Sequence, residues 1–328
     1  MRLLIYEPSY RRIRSEIEGL PGLELLVMDD GGVITRDGQT ISAEDARPEA
    51  GWVNADVFFG QAARPYSGAV LGSPDLKWVQ SGAAGFDNQL FVRIVQKGAR
   101  LTTSHGQAVG IADYVLWGVL DHLQRGPERR ADQAARRWGR TPFREIAGQR
   151  WLVVGFGSIG QAVAERARAF GASVSGVRRS GEAHPAADRM GWFGDIPAML
   201  PDADVVVLCC PLTAETRQLA NAAFFAAMKD KAIFANVGRG GLVDEPALLA
   251  ALDKGTPEHA VLDVFEAEPL PADSPFWDHP RVALTPHSSG MSAGNAPRND
   301  ATFIDNLKRF LAGEPLKNEA RPDEVLAG

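Results

Sequence analysis

The run Trp151-Leu152-Val153-Val154-Gly155-Phe156-Gly157-Ser158-Ile159-Gly160 decides the fold. Trp151 to Val154 read as a buried strand, and G-x-G-x-x-G follows at once. A helical pattern comes next, with Ile159, Val163, Ala167 and Phe170 on one face and Gly171 at its end. Each glycine has a physical task. Gly155 permits a tight turn, Gly157 lets a pyrophosphate approach the main chain, and Gly160 lets the helix pack on the strand. Phosphates would lie at the helix N-terminus, where unpaired N–H groups and the helix dipole favour negative charge. A lone glycine motif is weak evidence. Here the strand before it, the helix after it and a further strand at Ala172–Val177 supply the context of a dinucleotide-binding unit.

Working outward, strand and helix patterns alternate from Trp151 to Thr285. The remaining strands are expected at Val205–Cys209, Ala232–Asn236, Ala260–Val264 and Val282–Thr285, with a helix at Glu245–Lys254 before Gly255. Most are continuous apolar runs, as a parallel sheet covered on both faces requires. The reading is an α/β protein whose dinucleotide domain is a doubly wound parallel sheet of Rossmann type. Before it, Leu3–Tyr6, Leu23–Met28, Val57–Phe59, Lys77–Gln80 and Ala99–Thr102 are short apolar runs between turn residues. They predict a second, Rossmann-like and flavodoxin-like domain without a phosphate motif. A long helix is expected from Gln107 to His122, then an Arg- and Gly-rich segment to Arg140 that reads as a solvated face or interface rim. A last amphipathic helix carries Phe303, Leu307, Phe310 and Leu311 and ends at Gly313. It follows the complete sheet, so it is expected to return to the N-terminal domain. The expected division is 1–101 with 291–328 as the substrate domain and 102–290 as the dinucleotide domain, with a cleft hinged on the two crossings.

The bulk numbers agree with a two-domain protein. The chain has 328 residues, 45% apolar, and a net charge of -6, which argues against a nucleic-acid or anionic-membrane surface. The run from Met1 to Pro8 is too short for a signal peptide, and no segment approaches the ~20 apolar residues of a membrane span. Cys209 and Cys210 are the only cysteines; adjacent in sequence, they predict no disulfide framework and fit a reducing cytoplasm. No metal-ligand cluster appears.

Three segments beyond the glycine motif carry chemistry. Asn236-Val237-Gly238-Arg239-Gly240-Gly241-Leu242-Val243-Asp244-Glu245 puts an arginine after a strand. Leu262-Asp263-Val264-Phe265-Glu266-Ala267-Glu268-Pro269 puts acids after the next, and Thr285-Pro286-His287-Ser288-Ser289-Gly290 puts a histidine after the last. Ligands of open α/β sheets bind at these carboxyl ends. A cation, an acid and an imidazole beside a nicotinamide are what reversible carbonyl reduction needs.

In these motifs and their order, the chain resembles the NAD(P)-dependent D-isomer-specific 2-hydroxyacid dehydrogenases, most closely from Val153 to Gly290. The resemblance implies that Arg239 binds the substrate carboxylate and carbonyl oxygen, that His287 is the acid/base, and that Glu268 is its partner. Glu268 is assigned over Glu266 because the family's acid directly precedes the proline. Formate dehydrogenases of the superfamily carry Gln there, so Glu268 implies a true hydroxy or keto acid. In the loop Gln80-Ser81-Gly82-Ala83-Ala84-Gly85-Phe86-Asp87, N–H groups at Ala84 and Gly85 would hold a carboxylate oxygen. Gly155, Phe156, Gly157, Ser158, Ile159 and Gly160 would cradle the cofactor. Cys210, Pro211 and Thr216 would border it, and Val237, Gly238, Asp263 and His287 would surround the nicotinamide, Asp263 by its carboxamide. The blander reading of Cys209 and Cys210 is two small residues ending a buried strand.

Two departures matter. NAD-preferring members carry an acid about 20 residues beyond the glycine motif to bind ribose hydroxyls. Here that place holds Arg178, Arg179 and Ser180, which suit a 2′-phosphate and imply NADP(H), with NAD(H) as the alternative. Asp113 stands where the family usually has Glu, a change read as packing only. The leading expectation is a cytoplasmic 2-oxoacid reductase of the glyoxylate/hydroxypyruvate kind. The rivals are an NAD-using D-2-hydroxyacid dehydrogenase and a non-catalytic dinucleotide-sensing interaction protein. The helix from Gln107 with its Arg-rich extension matches the family's dimerisation arm, which implies a homodimer. Trp52, Tyr66, Phe86 and Trp138 are candidates to select the substrate side chain, though each such residue is more often plain core. His105, His122, His184, His259 and His279 lack such context and are read as structural.

Overall fold

In a computed structural model, which describes residues 1–85 and 88–327 and of Ala327 the main chain alone, the chain forms two sheets of seven strands each. It divides into two compact units, Met1–Gln107 with Ala293–Gly328, and Ala108–Ser292. Phe86 and Asp87 lie outside the described residues.

The first sheet comprises β1 (Arg2–Tyr6), β2 (Glu24–Met28), β3 (Ile34–Arg36), β4 (Gln39–Ile41), β5 (Ala50–Val53), β6 (Trp78–Ser81) and β7 (Arg100–Thr102), in the order β4-β3-β2-β1-β5-β6-β7. Its five parallel strands run β2-β1-β5-β6-β7, the flavodoxin-like order. β3 and β4 form an antiparallel hairpin on the edge. The hairpin turns at Asp37-Gly38, both at positive φ (50° and 77°), an Asp-Gly turn signal the sequence reading passed over. The run Val57–Phe59, expected as a strand, is instead part of the helix Ala55–Phe59. Asn54 is the reason: its side chain accepts from the Val57 N–H and starts the helix, and the true strand is β5 just before it. The helix Asn295–Ala312 packs in this unit, with Phe303 stacked on Trp52 at 4.2 Å between ring centres. Gly313 closes it at φ +71°.

The second sheet comprises β8 (Arg150–Val154), β9 (Ser173–Val177), β10 (Arg189–Gly191), β11 (Val205–Leu208), β12 (Ile233–Asn236), β13 (His259–Leu262) and β14 (Val282–Leu284). All neighbours pair in parallel, in the order β10-β9-β8-β11-β12-β13-β14. That is the Rossmann order, with the chain switching sides between β8 and β11. The edge strand β10, Arg-Met-Gly, carries too little apolar character to read as a strand. Alternate residues face opposite covers: Trp151, Val153 and Val261 pack on Ile111, Val115 and Val119, while Leu152, Val154 and Phe234 pack on Phe225, Leu248 and Leu252. The helix Ser158–Ala169 buries Val163 and Ala167, but Phe170, expected on that face, ends the helix and is 52% exposed. Among the described residues no helix is long and apolar enough to cross a membrane.

Candidate active site

The glycine motif turns the chain from β8 into the helix Ser158–Ala169. Gly155 sits at φ +99°, and a Cβ there would fall 2.3 Å from the Cys210 N. A Cβ on Gly160 would fall 2.2 Å from the Gly155 carbonyl oxygen. These two positions exclude a side chain because protein fills the space. Gly157 differs: a Cβ there would meet nothing within 4 Å, and the residue begins the helix without a side-chain cap. An uncapped helix start beneath open space suits a pyrophosphate, so the residues fit a dinucleotide. Phe156 contributes only main chain, since its ring is buried against Gly176.

The flanking loops close around this turn. Cys209 donates from Sγ to the Gly155 carbonyl at 2.9 Å. Burial pushes the Cys210 thiol up to about 12, and burial, with Cys210 beside it, raises the Cys209 thiol well above its ordinary value, so both favour the neutral form. Thr216 is buried and donates to the Pro211 carbonyl at 2.7 Å, which shapes the 211–216 loop. At the end of β9, the Arg178 guanidinium folds back on its own loop, donating to the Glu182 carbonyl (3.0 Å) and carboxylate (3.2 Å). Arg179 and Ser180 are exposed beside it, and Ser180 contacts the same carboxylate.

The chemical groups come from the loops after β12, β13 and β14. Asn236 ties the first: its amide donates to the Arg239 carbonyl (2.9 Å) and its oxygen accepts from Gly238 N–H (3.1 Å). Arg239 is half-buried, with Nη1 on the Gly238 carbonyl at 2.7 Å. A Cβ on Gly240 would fall 1.8 Å from the Phe265 carbonyl carbon, so the Arg239 loop lies directly on the main chain of the Glu268 loop. Glu245 accepts from Glu266 N–H at 2.7 Å; burial, then the nearby Glu266, raise it above the ordinary carboxylate range.

Glu268 and His287 meet. Glu268 Oε1 accepts from Phe265 N–H (3.0 Å), and Oε2 lies 2.8 Å from His287 Nδ1. Glu268, and not Glu266, makes this contact. With Nδ1 held, Nε2 of His287 is the ring nitrogen left for other chemistry. His287 stands at φ +50°, a left-handed conformation that costs a non-glycine residue roughly 1–2 kcal/mol. Its N–H donates to the Asp263 carbonyl at 2.7 Å. The Asp263 carboxylate is 2% exposed and accepts from Thr285, Ser288 and Ser289. Val237 is buried, its N–H donating to the Leu208 carbonyl.

In the other unit, Gly82 N–H donates to the Val53 carbonyl and Ala83 N–H to Ser81 Oγ. No hydrogen-bond partner for Ala84 or Gly85 occurs among the described residues, which leaves their N–H groups open. Trp52 and Tyr66 are not site residues. Both are buried core, with Tyr66 Oη bridging Trp52 N–H and the Leu4 carbonyl. Trp138 is 95% exposed. The sequence reading did not foresee the ties made by Asn236, Glu245 and the Thr285–Ser289 turn. The hydroxyls flanking His287 were the available signal. Among the described residues no three His, Cys, Asp or Glu side chains gather to hold a metal ion.

Comparison with known proteins places this arrangement. Residues 116–289 match the family model described as D-isomer specific 2-hydroxyacid dehydrogenase, NAD binding domain. The chain is 34% identical over 286 residues to glyoxylate/hydroxypyruvate reductase B of Citrobacter koseri, covering 83% of this chain and 86% of that one. A D-isomer specific 2-hydroxyacid dehydrogenase family protein of Aeromonas salmonicida superposes with a TM-score of 0.80 at 32% identity, over 98% of both chains. A D-isomer specific 2-hydroxyacid dehydrogenase of Xanthobacter autotrophicus, solved with NADPH and MES, gives 0.80 at 30% identity, again over 98% of both. The chain belongs to the D-isomer specific 2-hydroxyacid dehydrogenase family and is an oxidoreductase of that family.

Proposed function

We propose that the protein is an NADPH-dependent reductase of small 2-oxoacids, of the glyoxylate/hydroxypyruvate kind, producing D-2-hydroxyacids. The observation that carries this reading is the His287–Glu268 contact of 2.8 Å, which leaves Nε2 as the working nitrogen, beside a loop that carries Arg239.

When bound, the reduced nicotinamide supplies the hydride that the keto carbon receives. The protein supplies the rest. His287 gives a proton from Nε2 to the keto oxygen as charge builds on it, and takes the proton back in the reverse direction. Glu268 fixes the ring through Nδ1, which orients Nε2 for the transfer. Arg239 offers a planar fork to the substrate carboxylate and the carbonyl oxygen. The open N–H groups of Ala84 and Gly85 are assigned to the other carboxylate oxygen. The turn Gly155–Gly160 takes the pyrophosphate at the helix start, with Cys210, Pro211 and Thr216 along its border and Val237 and Gly238 toward the nicotinamide.

The preference for NADPH rests on the end of β9. No acid follows Val177; Arg178, Arg179 and Ser180 do, and a 2′-phosphate is paired there rather than repelled. The Xanthobacter relative solved with NADPH has the same fold at 30% identity, which supports this reading. The domain roles follow: residues 102–290 bind the dinucleotide, and 1–101 with 291–328 bind the substrate. The free thiols of Cys209 and Cys210 suit the cytoplasm.

A homodimer completes the proposal. The helix Gly126–Ala134 and the segment after it carry Arg129, Arg136, Arg137 and Arg140 around an open groove, with Trp138 almost fully exposed and Phe143 and Trp117 half exposed. Such apolar surface on a charged arm is what a partner subunit would cover. Light scattering at working concentration gives twice the chain mass; a monomer mass overturns the dimer.

The experiment is initial-rate oxidation of NADPH and of NADH against glyoxylate, hydroxypyruvate, pyruvate, phenylpyruvate and 2-oxoisocaproate, with His287→Ala as control. Fast NADPH turnover that the variant loses is the expected result. Tight dinucleotide binding without turnover, unchanged by His287→Ala, would replace the reductase by a sensing protein.

A further inference from the structure

We propose that Glu182 is a built-in competitor for the 2′-phosphate, its carboxylate holding Arg178 and Ser180 until the phosphate of NADPH displaces it, so that this acid sets how sharply the protein tells NADPH from NADH. The inference rests on the reading of Arg178 as a ligand of that phosphate.

The local chain folds so that the acid meets the arginine. β9 ends at Val177, and Arg178 to Gly181 form a turn in which the Gly181 N–H donates to the Arg178 carbonyl at 3.2 Å. Gly181 takes φ +64°, which glycine adopts without strain, and Glu182 follows it directly. Arg178 Nη2 donates to the Glu182 carbonyl at 3.0 Å and, more loosely, to the Ala183 carbonyl at 3.5 Å. The same nitrogen meets Glu182 Oε2 at 3.2 Å. The Ser180 hydroxyl donates to that oxygen at 3.3 Å and accepts from the Glu182 N–H at 3.5 Å. Arg178 and Ser180 are thus both engaged by one carboxylate oxygen, and an anion of the protein's own stands on the donors that a phosphate needs.

The grip is weak enough to be given up. Charge-assisted N–H···O bonds run at about 2.7–2.9 Å, and the strong arginine–carboxylate pairs are bidentate. Here one nitrogen alone meets the carboxylate, at 3.2 Å, and the Glu182 side chain is 74% exposed. Arg178 Nε is buried without a hydrogen-bond partner among the described residues, so the carboxylate does not fill the guanidinium fork. The main-chain carbonyls of Glu182 and Ala183 hold Arg178 whichever anion it pairs with, so the arginine need not move when the partner changes. A phosphate, with three oxygens, can take two donors of the fork and the Ser180 hydroxyl together. NADH has a hydroxyl in that place and brings no charge to displace Glu182. The competition therefore falls on NADPH. An exposed ion pair is closed about 1.5 to 5 times as often as it is open, and a ligand that needs the open form loses affinity in proportion.

Glu182→Gln and Glu182→Ala are titrated with NADPH and with NADH by nucleotide fluorescence, each in the wild-type and the Arg178→Ala background. In the wild-type background the NADPH Kd should tighten about two- to sixfold in both variants, with the NADH Kd within about 1.5-fold of its starting value. In the Arg178→Ala background the gain should shrink below about 1.5-fold, because the pair is already gone. The proposal is overturned if the ratio of the two dissociation constants moves less than about twofold in both variants. It is overturned equally by an undiminished gain without Arg178, which would make Glu182 a repelling charge and no competitor. Arg178→Ala alone keeps this apart from the reading beneath it. If that variant weakens NADPH about tenfold against NADH while the Glu182 variants change nothing, the phosphate site stands and the competitor falls. If it leaves the ratio unchanged, the phosphate site falls and takes the competitor with it.

Discussion

Glu268→Gln tests the core of the mechanism. The substitution keeps the side chain's shape. The amide oxygen can still accept from Phe265 N–H, which holds Oε1 at 3.0 Å in the parent. The –NH2 then faces His287 Nδ1, where Oε2 lay at 2.8 Å, and donates to the ring instead of accepting from it. The ring then lacks the carboxylate that faced Nδ1. Opposite unit charges at this separation attract by about 1.5 kcal/mol in water and about 6 kcal/mol at an effective dielectric near 20. The two side chains are 49% and 36% exposed, so screening places the pair toward the aqueous end, at about 2 kcal/mol. At 1.4 kcal/mol per tenfold, kcat for 2-oxoacid reduction should fall about 30-fold. The assay is steady-state NADPH oxidation in a double-mutant cycle with His287→Ala. In the His287→Ala background, Glu268→Gln should cost less than about threefold, because its target is gone. The same 30-fold loss in both backgrounds would refute the partnership, as would full activity of Glu268→Gln alone.

Arg178→Asp places a carboxylate at the end of β9 and frees Glu182; it should weaken NADPH about tenfold relative to NADH, and an unchanged ratio of dissociation constants would count against a 2′-phosphate site there. Gly155→Ala puts a methyl 2.3 Å from Cys210 N at φ +99° and should lower unfolding free energy by about 3 kcal/mol or more in urea titration; a loss below about 1 kcal/mol would mean the turn can shift. Burial, with His122 adding to it, pushes His259 down to about 3, while the unfolded chain protonates near 6.5. The unfolded state therefore binds more protons between these values, so stability is complete above about 6.5 and falls as pH drops toward 3. His259→Gln should flatten that acid limb in urea midpoints taken at neutral and acid pH, and an equal acid loss in both proteins would exclude His259 as its source.

What could be read before folding depended on whether the information was local. The second sheet was legible because its central strands are continuous apolar runs, such as Val205–Leu208, which a buried parallel strand demands and few other contexts tolerate. The edge strand β10 and the β3–β4 hairpin were not, because edge strands need no apolar face, although Asp37-Gly38 marked the hairpin. Val57–Phe59 was read as strand because its apolar character was weighed and its cap was not; one hydrogen bond from Asn54 settled the competition. The family's motifs named Arg239, Glu268 and His287 by residue type and place, and the structure brings Glu268 onto His287. Contacts between loops obey a different logic. An acid just past a strand reads as a ligand for whatever binds at the sheet edge, as Asp263 does. That its carboxylate also accepts from Thr285, Ser288 and Ser289 is not legible in sequence, because they come from the far side of the next strand and meet it only when that turn closes. A donor type can be inferred from a motif, whereas the direction in which a buried carboxylate spends its lone pairs is decided by tertiary closure. The same holds for Asn236, whose side chain holds the Arg239 loop in shape yet reads in sequence as the last residue of a strand.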